Sequence, residues 1–508
     1  MPLPSQQVVD GDAPVKGSSV PTLLIGGAIV LLAAALRVAA ARGCLWFDEM
    51  WSLTLVKSVT SPLGIFTSIH HDNNNHLNSL ILFFLGQDRS PFVYRLPAVL
   101  FGVGTVLIAG DLGRRGGRVQ ALIAMLLTAC SYLLVNYSSE ARGHAPAIFF
   151  DFLAFDCLER YLDGRRPGWL AGFWAAATLS LFSHLMFLQV YGAMIVWSLV
   201  RLLRTSRNAL QGLVQFSFCH VVPVAAILWL YAVDLRKMVI GGGPDYSVGS
   251  VLLRALSLAV GGPDNGWQAL LAAIGAIVLF FAGLALLRRK GSDLWIFYGM
   301  LLIGPFIALQ LKRPDVLFVR YFLANIAFAL ILFSAVFAEL FRAGPIARMV
   351  ALALIGAIVL GNGWHIEKLI RDGRGDYCAM LADMELQTPG DTITVGSDHD
   401  RRNGLALDYV ARSAGNKTVE YFREDSWPAG GPRWFVVHSI DNVDYVPAFV
   451  TAHGIRYHFV KQYPSGSLSG WHLFLYEKAG TAGGSARTPV AWPDFVGALY
   501  FKEVAPER

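Results

Sequence analysis

The chain has 508 residues, of which 55% are hydrophobic and 15% are charged, and its net charge at pH 7 is +6. A soluble domain carries about 25% charged residues, so the composition excludes a wholly soluble protein. The positive charge does not indicate nucleic-acid binding, because most arginines lie in short loops between apolar runs, where membrane proteins concentrate them.

The N-terminal residues 1–18 are polar and contain Asp10 and Asp12 ahead of the first apolar run. A secretory signal peptide starts with a basic region and has a shorter apolar run than residues 21–40. We therefore predict that 1–18 is a disordered cytoplasmic tail and that 21–40 is the first transmembrane helix.

Long apolar runs alternate with short polar breaks over residues 19–364. Each run is about 18–22 residues long, which is enough for a helix to cross the hydrocarbon core. We predict an all-α polytopic membrane domain with about eleven transmembrane helices. The predicted spans are 21–40, 92–111, 118–136, 144–162, 168–184, 185–203, 213–233, 266–287, 293–311, 318–341 and 346–364.

Every second loop between these spans is basic. The basic loops contain Arg114 and Arg115, Arg160 and Arg165, Arg201 and Arg204, Arg288 and Arg289, and Arg342. The positive-inside bias places these loops and the N-terminus in the cytoplasm. An odd number of spans then places residues 365–508 outside a plasma (inner) membrane.

The first outer loop, residues 43–91, contains two amphipathic segments, 45–59 and 78–85, which we predict to be helices lying in the membrane interface. Adjacent acids, Asp48 and Glu49, stand among aromatic residues directly after the first span. An N-cap needs only one acid, and acids beside an anionic membrane surface are unfavourable. We therefore interpret the pair as catalytic.

A dense run of hydrogen-bonding side chains follows in the same loop. We predict that its side chains bind substrate, because histidine, aspartate and asparagine are good partners for sugar hydroxyls and phosphates. The predicted binding residues are His71, Asp72, Asn75, His76 and Asn78. Their spacing fits no standard metal site, so we assign no metal ligands; a metal site and a polar helix-capping turn are the alternatives.

Glu140 and Arg142 lie at the end of a span, in the second outer loop. They are either an exposed ion pair contributing less than about 1 kcal/mol or part of the site. Arg320 also lies outside, against the positive-inside bias. Phosphate binding and snorkelling of the side chain explain it equally well. We interpret His184 as an interfacial polar residue.

Residues 365–508 have the composition of a soluble domain, and alternating strand-like and helix-like segments predict a small extracytoplasmic α/β domain. The predicted strands are 392–396, 418–422, 433–438, 456–461 and 471–477, with a helix at 405–413. The five cysteines contain no CxxC pair, and we expect them to be unpaired; a Cys44–Cys378 disulfide is the alternative.

Several of these segments together resemble one enzyme family. Phe47-Asp48-Glu49 is similar to the Asp-Glu motif of protein O-mannosyltransferases and their bacterial relatives, the family 39 glycosyltransferases with the GT-C fold. Further segments resemble other motifs of that family, in the family's order. They are Asp72–Asn78, Tyr94-Arg95-Leu96-Pro97, Tyr137–His144 and Arg320-Tyr321. The Pro-Pro of the family's first loop is absent.

The resemblance implies a transferase that moves a sugar from a polyprenyl-phosphate donor to an acceptor hydroxyl on a lipid, glycan or protein at the outer membrane face. It implies that Asp48 is the base that removes the acceptor proton. The polyprenyl phosphate leaves as a stable anion, and cations stabilise it. We expect inversion at the anomeric carbon, with Glu49 and Glu140 orienting the acceptor or an optional divalent cation.

A multi-pass transporter or flippase of lipid-linked glycans is the main alternative function. Such proteins usually show repeated halves and charges near the bilayer midplane. In this sequence the acids stand at the outer ends of spans, and we find no internal repeat. A non-catalytic membrane partner is a further alternative.

Overall fold

The computed structural model describes residues 19–242, 246–311, 317–428, 430–440 and 445–480. The predicted tail, residues 1–18, lies outside the described residues, as does the end of the predicted C-terminal domain, 481–508.

The described part of the chain is helical up to residue 387, apart from short loops. The α-helices are α1 (Ser19–Ala40), α2 (Phe47–Lys57), α3 (Gly64–Thr67), α4 (His76–Leu85), α5 (Pro91–Arg114), α6 (Arg118–Cys130), α7 (Tyr132–Tyr137), α8 (His144–Gly164), α9 (Pro167–Ser183), α10 (Phe187–Thr205), α11 (Ala209–Val233), α12 (Val248–Ala259), α13 (Gly266–Arg289), α14 (Leu294–Leu311), α15 (Leu323–Arg342), α16 (Pro345–Asp372) and α17 (Tyr377–Gln387). Single 3₁₀ turns occupy Leu235–Lys237 and Val319–Phe322.

Seven helical segments are long and apolar enough to cross a membrane, which makes the chain a multi-pass membrane protein. They are Val20–Ala40, Pro91–Arg114, Phe187–Thr205, Ala209–Lys237, Gly266–Arg289, Val319–Arg342 and Pro345–Asp372. The other four predicted spans fall on α6 with α7, α8, α9 and α14. The total of eleven remains a prediction, and so does the domain boundary at residue 365, which falls inside α16.

The predicted span 118–136 is divided into two helices because Ser131 adopts an extended conformation between α6 and α7. Backbone groups freed at such a break need new partners inside a membrane. Arg37 of α1 donates to the carbonyls of Thr128 and Ala129 at 3.3 and 3.2 Å. The side chain of Asn362 accepts from the N–H of Tyr132 at 2.7 Å.

The two predicted amphipathic helices of the first outer loop are present as α2 and α4. With 11 and 10 residues, both are too short to cross a bilayer. The N-terminus of α2 is closed by the carboxylate of Glu49, which accepts from the backbone N–H of Trp46 at 3.0 Å. Met50 and Leu53 of α2 are almost completely buried, and burying such a side chain contributes about 1.5–3 kcal/mol.

The C-terminal part is an α/β domain, as predicted. Its elements are β1 (Thr392–Ser397), α18 (Asp400–Ala414), β2 (Thr418–Tyr421), a 3₁₀ turn at Glu424–Ser426, β3 (Trp434–Ser439), β4 (Phe449–Ala452), β5 (Ile455–Tyr463) and β6 (His472–Lys478). The six strands form one sheet in the order β2-β1-β3-β6-β5-β4, parallel over β1–β3 and antiparallel beyond. The edge strand β4 and helix α17 were not predicted.

The C-terminal domain and the first outer loop share one hydrophobic core. Leu45, Met50 and Leu53 pack in a continuous cluster with Tyr377 and Trp434 of the C-terminal domain. The prediction of unpaired cysteines is wrong for two of the five, because Cys44 and Cys378 form a disulfide with their Cα atoms 5.9 Å apart. Sequence spacing could not indicate this pairing, since it depends on how α17 packs beside the start of α2.

Candidate active site

The second outer loop is held between α2, α4 and the C-terminal domain by its own backbone. The N–H of Ala141 donates to Glu49 at 2.7 Å, and the carbonyl of Ala141 accepts from Asn78 at 2.9 Å. Gly143 follows at a point where a side chain cannot fit, because a Cβ atom there would lie 2.0 Å from the carbonyl oxygen of Ser183. These contacts determine where Arg142 points.

Asp48 stands on the first turn of α2 and faces two arginines. Its Oδ2 atom lies 2.7 Å from Nη1 of Arg142 and 3.6 Å from Nη1 of Arg320, and its side chain is 20% exposed. Asn73 connects this group, because it donates to the carbonyl of Asp48 at 2.9 Å and accepts from Nη2 of Arg142 at 2.7 Å. The three predicted residues Asp48, Arg142 and Arg320 therefore form one cluster.

Glu49 points the other way and is completely buried. Both of its carboxylate oxygens accept from Arg95, at 2.8 and 2.6 Å, in addition to the N–H groups of Trp46 and Ala141. Burial acts to raise the pKa of Glu49, but the charge and hydrogen bonds of Arg95 outweigh it and hold this pKa below its ordinary value. Glu49 thus binds α2 to α5 and the second outer loop.

Glu140 is also completely buried, at the junction with the C-terminal domain. Its Oε1 atom accepts from Asn136 at 3.2 Å and from Nε of Arg374 at 3.3 Å. Burial raises the pKa of Glu140, and the nearby charges of Arg374 and Arg142 only partly oppose this effect. Glu140 lies in the same loop as Arg142, but its own arginine partner is Arg374.

A cavity of about 360 Å³ lies beside the Asp48 cluster. Most of its lining is apolar, but it includes charged and hydrogen-bonding side chains, and we call it the polar cavity to distinguish it from a second cavity described below. Five of the predicted binding residues are among those that line it: Asp72, Asn75, His76, Arg142 and Arg320. Asp48 is not part of the lining, but it contacts two lining residues, Arg142 and Arg320. Burial acts to raise the pKa of Asp72, but its hydrogen bond with His71, 2.8 Å long, and that residue's charge hold this pKa below the ordinary value.

Two predicted binding residues lie outside this lining. His71 packs edge-on against Trp51, with ring centroids 5.5 Å apart, and reaches the cavity only through Asp72. Asn78 is buried beneath the second outer loop, where it supports Ala141. His71 thus supports Asp72 of the cavity lining, and Asn78 supports the loop that carries Arg142.

Sequence reasoning missed Asp234, which lies between two histidines of the first outer loop. Its carboxylate oxygens are 2.7 Å from Nδ1 of His70 and 2.8 Å from Nε2 of His76, and it is only 1% exposed. A sequence signal for this residue was present, because Asp234 directly follows the predicted span 213–233. His184, interpreted as interfacial, lines the cavity.

Each of the three predicted acids has an arginine partner, and both oxygens of Glu49 accept hydrogen bonds from Arg95 and backbone N–H groups. Oε2 of Glu140 has no hydrogen-bond partner among the described residues, so the optional divalent cation stays a prediction. The described part of the chain contains one group of potential ligands, Cys44, Asp376 and Cys378. Its two sulfur atoms are joined in the disulfide and cannot act as thiolate ligands.

A second cavity, of about 320 Å³, is almost entirely apolar and adjoins the polar one. It lies among α12, α13, α14 and α15, and both cavities are lined by Pro305 and Phe322. A polar chamber with two arginines therefore borders an apolar chamber, an arrangement suited to a ligand with a charged head and a hydrocarbon tail.

No protein-family model and no curated protein matches the chain. Among solved structures, ArnT from Cupriavidus metallidurans is similar over 92% of this chain and 100% of its own. The TM-score is 0.53 at 13% identity for its apo state and 0.50 at 12% identity for the form bound to undecaprenyl phosphate.

An oligosaccharyltransferase from Archaeoglobus fulgidus, in complex with zinc and sulfate, covers 80% of this chain over 67% of its own, with a TM-score of 0.47 at 13% identity. The likeness to ArnT shows that the chain has the GT-C fold that the sequence resemblance implies.

Proposed function

We propose that this protein is a membrane glycosyltransferase that moves a sugar from a polyprenyl-phosphate donor to an acceptor hydroxyl on the extracytoplasmic face. The observation that carries the proposal is Arg320. Within the described residues its guanidinium lines the polar cavity and donates no hydrogen bond. Its one carboxylate contact there is Asp48 at 3.6 Å, and it lies over the ring of Phe318, 4.1 Å from the centroid. A partly buried arginine with free N–H groups is a strong binding site for phosphate.

The donor would place its phosphate at Arg320 and Arg142, with its sugar in the polar cavity. The polyprenyl tail would enter the apolar cavity past Pro305 and Phe322. Hydrocarbon buried there contributes about 25 cal/mol per Å². The undecaprenyl phosphate bound to ArnT, a protein of the same fold, supports this class of donor.

Asp48 would act as the general base in this reaction. It takes the proton of the acceptor hydroxyl while the hydroxyl oxygen attacks the anomeric carbon, and the bond from that carbon to the phosphate oxygen breaks. The charge that develops on the leaving phosphate is stabilised by Arg142 and Arg320. A single displacement inverts the anomeric centre.

The remaining predicted residues take supporting roles in this proposal. Asp72, Asn75 and His76 hold sugar hydroxyls in the cavity. His71 and Asn78 lie outside the lining and position the residues that form it. Glu49 and Glu140 position α2 and the second outer loop, a role that fits their complete burial better than contact with an acceptor or a cation.

The proposed orientation puts the site and the C-terminal domain outside the cytoplasm. The disulfide between Cys44 and Cys378 supports it, because disulfides persist in oxidising compartments and join these two regions here. A cysteine placed at Leu386, which is 85% exposed, should react with an impermeant reagent in intact cells. A cysteine at Arg166, in a predicted cytoplasmic loop, should react only after permeabilisation.

Transfer from purified polyprenyl-phosphate sugars tests the function directly. Arg320→Ala should raise the KM for donor about 10–100-fold, as expected for losing a charge-assisted hydrogen bond, and Arg320→Lys should raise it less. Arg371, exposed and remote, provides the control variant Arg371→Ala. Equal donor dependence in all three variants contradicts the phosphate assignment.

Mass spectrometry of envelope glycolipids and glycoproteins from a deletion strain identifies the acceptor class by the sugar that is lost. An unchanged set of glycans, combined with loss of lipid-linked sugar from the outer leaflet, would instead indicate a flippase.

A further inference from the structure

Arg374 lies just beyond the end of α16, where the membrane helices meet the C-terminal domain. Its side chain is only 2% exposed, although it is charged. It donates to the carbonyls of Ala40 and Asn136 at 3.0 and 2.9 Å, to Oγ of Ser139 at 2.9 Å, and to Glu140 at 3.3 Å. One guanidinium thus joins the end of α1, the end of α7 and the second outer loop.

Arg374 is itself held by the turn between β5 and β6, residues 464–471. Its carbonyl accepts from the N–H of Trp471 at 3.2 Å, and it forms an antiparallel bridge with Ser465. Gly375, with φ +80°, allows this approach, because a Cβ atom there would lie 2.0 Å from the carbonyl oxygen of Trp471. The turn therefore fixes the backbone from which the guanidinium projects.

The same turn reaches the membrane domain at Asn136. Ser467 donates to the side-chain oxygen of Asn136 at 2.5 Å, and Asn136 donates to Oγ of Ser469 at 3.3 Å. Tyr132 donates to the carbonyl of Gly466 at 3.2 Å. The C-terminal domain therefore contacts Glu140 and the segment that precedes it, from Tyr132 to Ser139.

Two contacts connect this junction to Asp48, the proposed base. The N–H of Arg142 donates to the carbonyl of Glu140 at 2.8 Å, and the Arg142 guanidinium meets Asp48 at 2.7 Å. Any displacement of Glu140 therefore moves the cation that faces Asp48.

We propose that Arg374 is a positioning residue, through which the C-terminal domain holds Glu140 and so sets the contact between Arg142 and Asp48. This inference rests on the proposed transfer reaction. It gives the C-terminal domain a role in catalysis that the sequence did not indicate. A lysine cannot replace the arginine fully, because a single ammonium group does not span three segments.

The charges around Glu140 determine what the loss of Arg374 should do. Arg374 and Arg142 stabilise its carboxylate, whereas Glu49 opposes it. Arg95, Arg320 and Tyr137 also lie within electrostatic range. Removing Arg374 raises the pKa of Glu140 further above its ordinary value, so Glu140 stays ionised only at higher pH.

The test uses full-length Arg374→Lys, Arg374→Gln, Glu140→Gln and the double variant Arg374→Gln/Glu140→Gln. For Arg374→Gln we expect kcat to fall about 10–100-fold, in the range of a lost charged hydrogen bond, with the donor KM within about twofold of wild type. The acidic limb of its pH–rate profile should move to higher pH. Arg374→Lys should recover part of kcat and leave that limb in place.

The double variant should be no slower than the slower single variant, because both changes break the same contact. It also removes the unpaired buried charge that could prevent Arg374→Gln from folding. Additive losses of activity, or an unshifted pH profile with kcat falling in proportion to thermal stability, would overturn the inference.

Hydrogen exchange of residues 138–143, measured without substrate, separates this inference from the proposed function. Faster exchange in Arg374→Gln but not in the exposed control Arg371→Gln supports the positioning role even if no donor is transferred. Unchanged exchange of this loop overturns it. Absence of transfer by wild-type protein from every polyprenyl-phosphate sugar contradicts the proposed function alone.

Discussion

The candidate site has two sides, one next to the polar cavity and one buried inside the protein. On both sides acidic residues pair with arginines. On the cavity side, Asp48 is 20% exposed, and its arginine partners Arg142 and Arg320 line a polar chamber. On the buried side, Glu49 and Glu140 are 0% exposed and are matched by Arg95 and Arg374.

Pairing with arginine therefore does not by itself distinguish a reactive acid from a structural one. Both oxygens of Glu49 are occupied by a bidentate arginine and two backbone N–H groups, which leaves no room for a substrate hydroxyl. Asp48 keeps part of its carboxylate exposed. We therefore expect changes to Asp48 to affect turnover and changes to Glu49 to affect folding.

The largest effect on turnover should come from Asp48→Asn. The amide keeps the size of the side chain but cannot accept the acceptor proton, and loss of a general base costs about 10²–10⁴-fold. We expect kcat to fall by this amount, while the thermal unfolding midpoint and donor binding stay close to wild type. Asp408→Asn, at an exposed position of α18, is the matched control. Wild-type turnover in Asp48→Asn would rule out the proposed base.

Glu49→Gln should mainly lower stability. It leaves Arg95 as an uncompensated buried charge, and breaking such a pair costs about 3–5 kcal/mol. The measurement is thermal unfolding in detergent, with Glu367→Gln as the control, because Glu367 belongs to an exposed pair with Arg371 worth about 0.2–1 kcal/mol. Glu49→Gln/Arg95→Met should recover part of the loss.

If Glu49→Gln keeps its stability but loses turnover as severely as Asp48→Asn, the distinction between a reactive Asp48 and a structural Glu49 is wrong.

Asp234→Asn should have a smaller effect. The amide keeps the shape but removes the negative charge shared by His70 and His76, and a hydrogen bond to a charged group contributes about 1.5–3 kcal/mol. We expect a moderately lower unfolding midpoint and a raised donor KM, because His76 lines the cavity. Asp264→Asn, in a half-exposed pair with Arg254, should change neither quantity. No change of KM would assign Asp234 to the framework alone.

Most of the helices and strands could be predicted from the sequence. Seven of the predicted spans match long apolar helices, and five of the six strands lie within a few residues of their predicted positions. Strand β4 was missed because four residues at a sheet edge carry little periodic signal. The break at Ser131 was missed because its compensation comes from Arg37 and Asn362, which are distant in sequence.

The candidate site was predicted in composition but not in arrangement. Acids next to spans and cations against the charge bias identified Asp48, Glu140, Arg142 and Arg320, since such residues are costly beside a membrane and need a reason. Sequence could not separate Asp48 from Glu49, because neighbouring residues of a helix point about 100° apart and only the packing around α2 decides which one is buried.

Three features could be predicted from the sequence alone: the chain spans a membrane, polar groups gather in loops that follow certain spans, and an α/β domain comes last. These features depend on local hydrophobicity and periodicity. Which residues pair depends on the fold, because Arg374 and Glu140 are 234 residues apart and Cys44 and Cys378 are 334 residues apart. Buried charges need partners, and those partners are supplied by whichever segments the fold brings together.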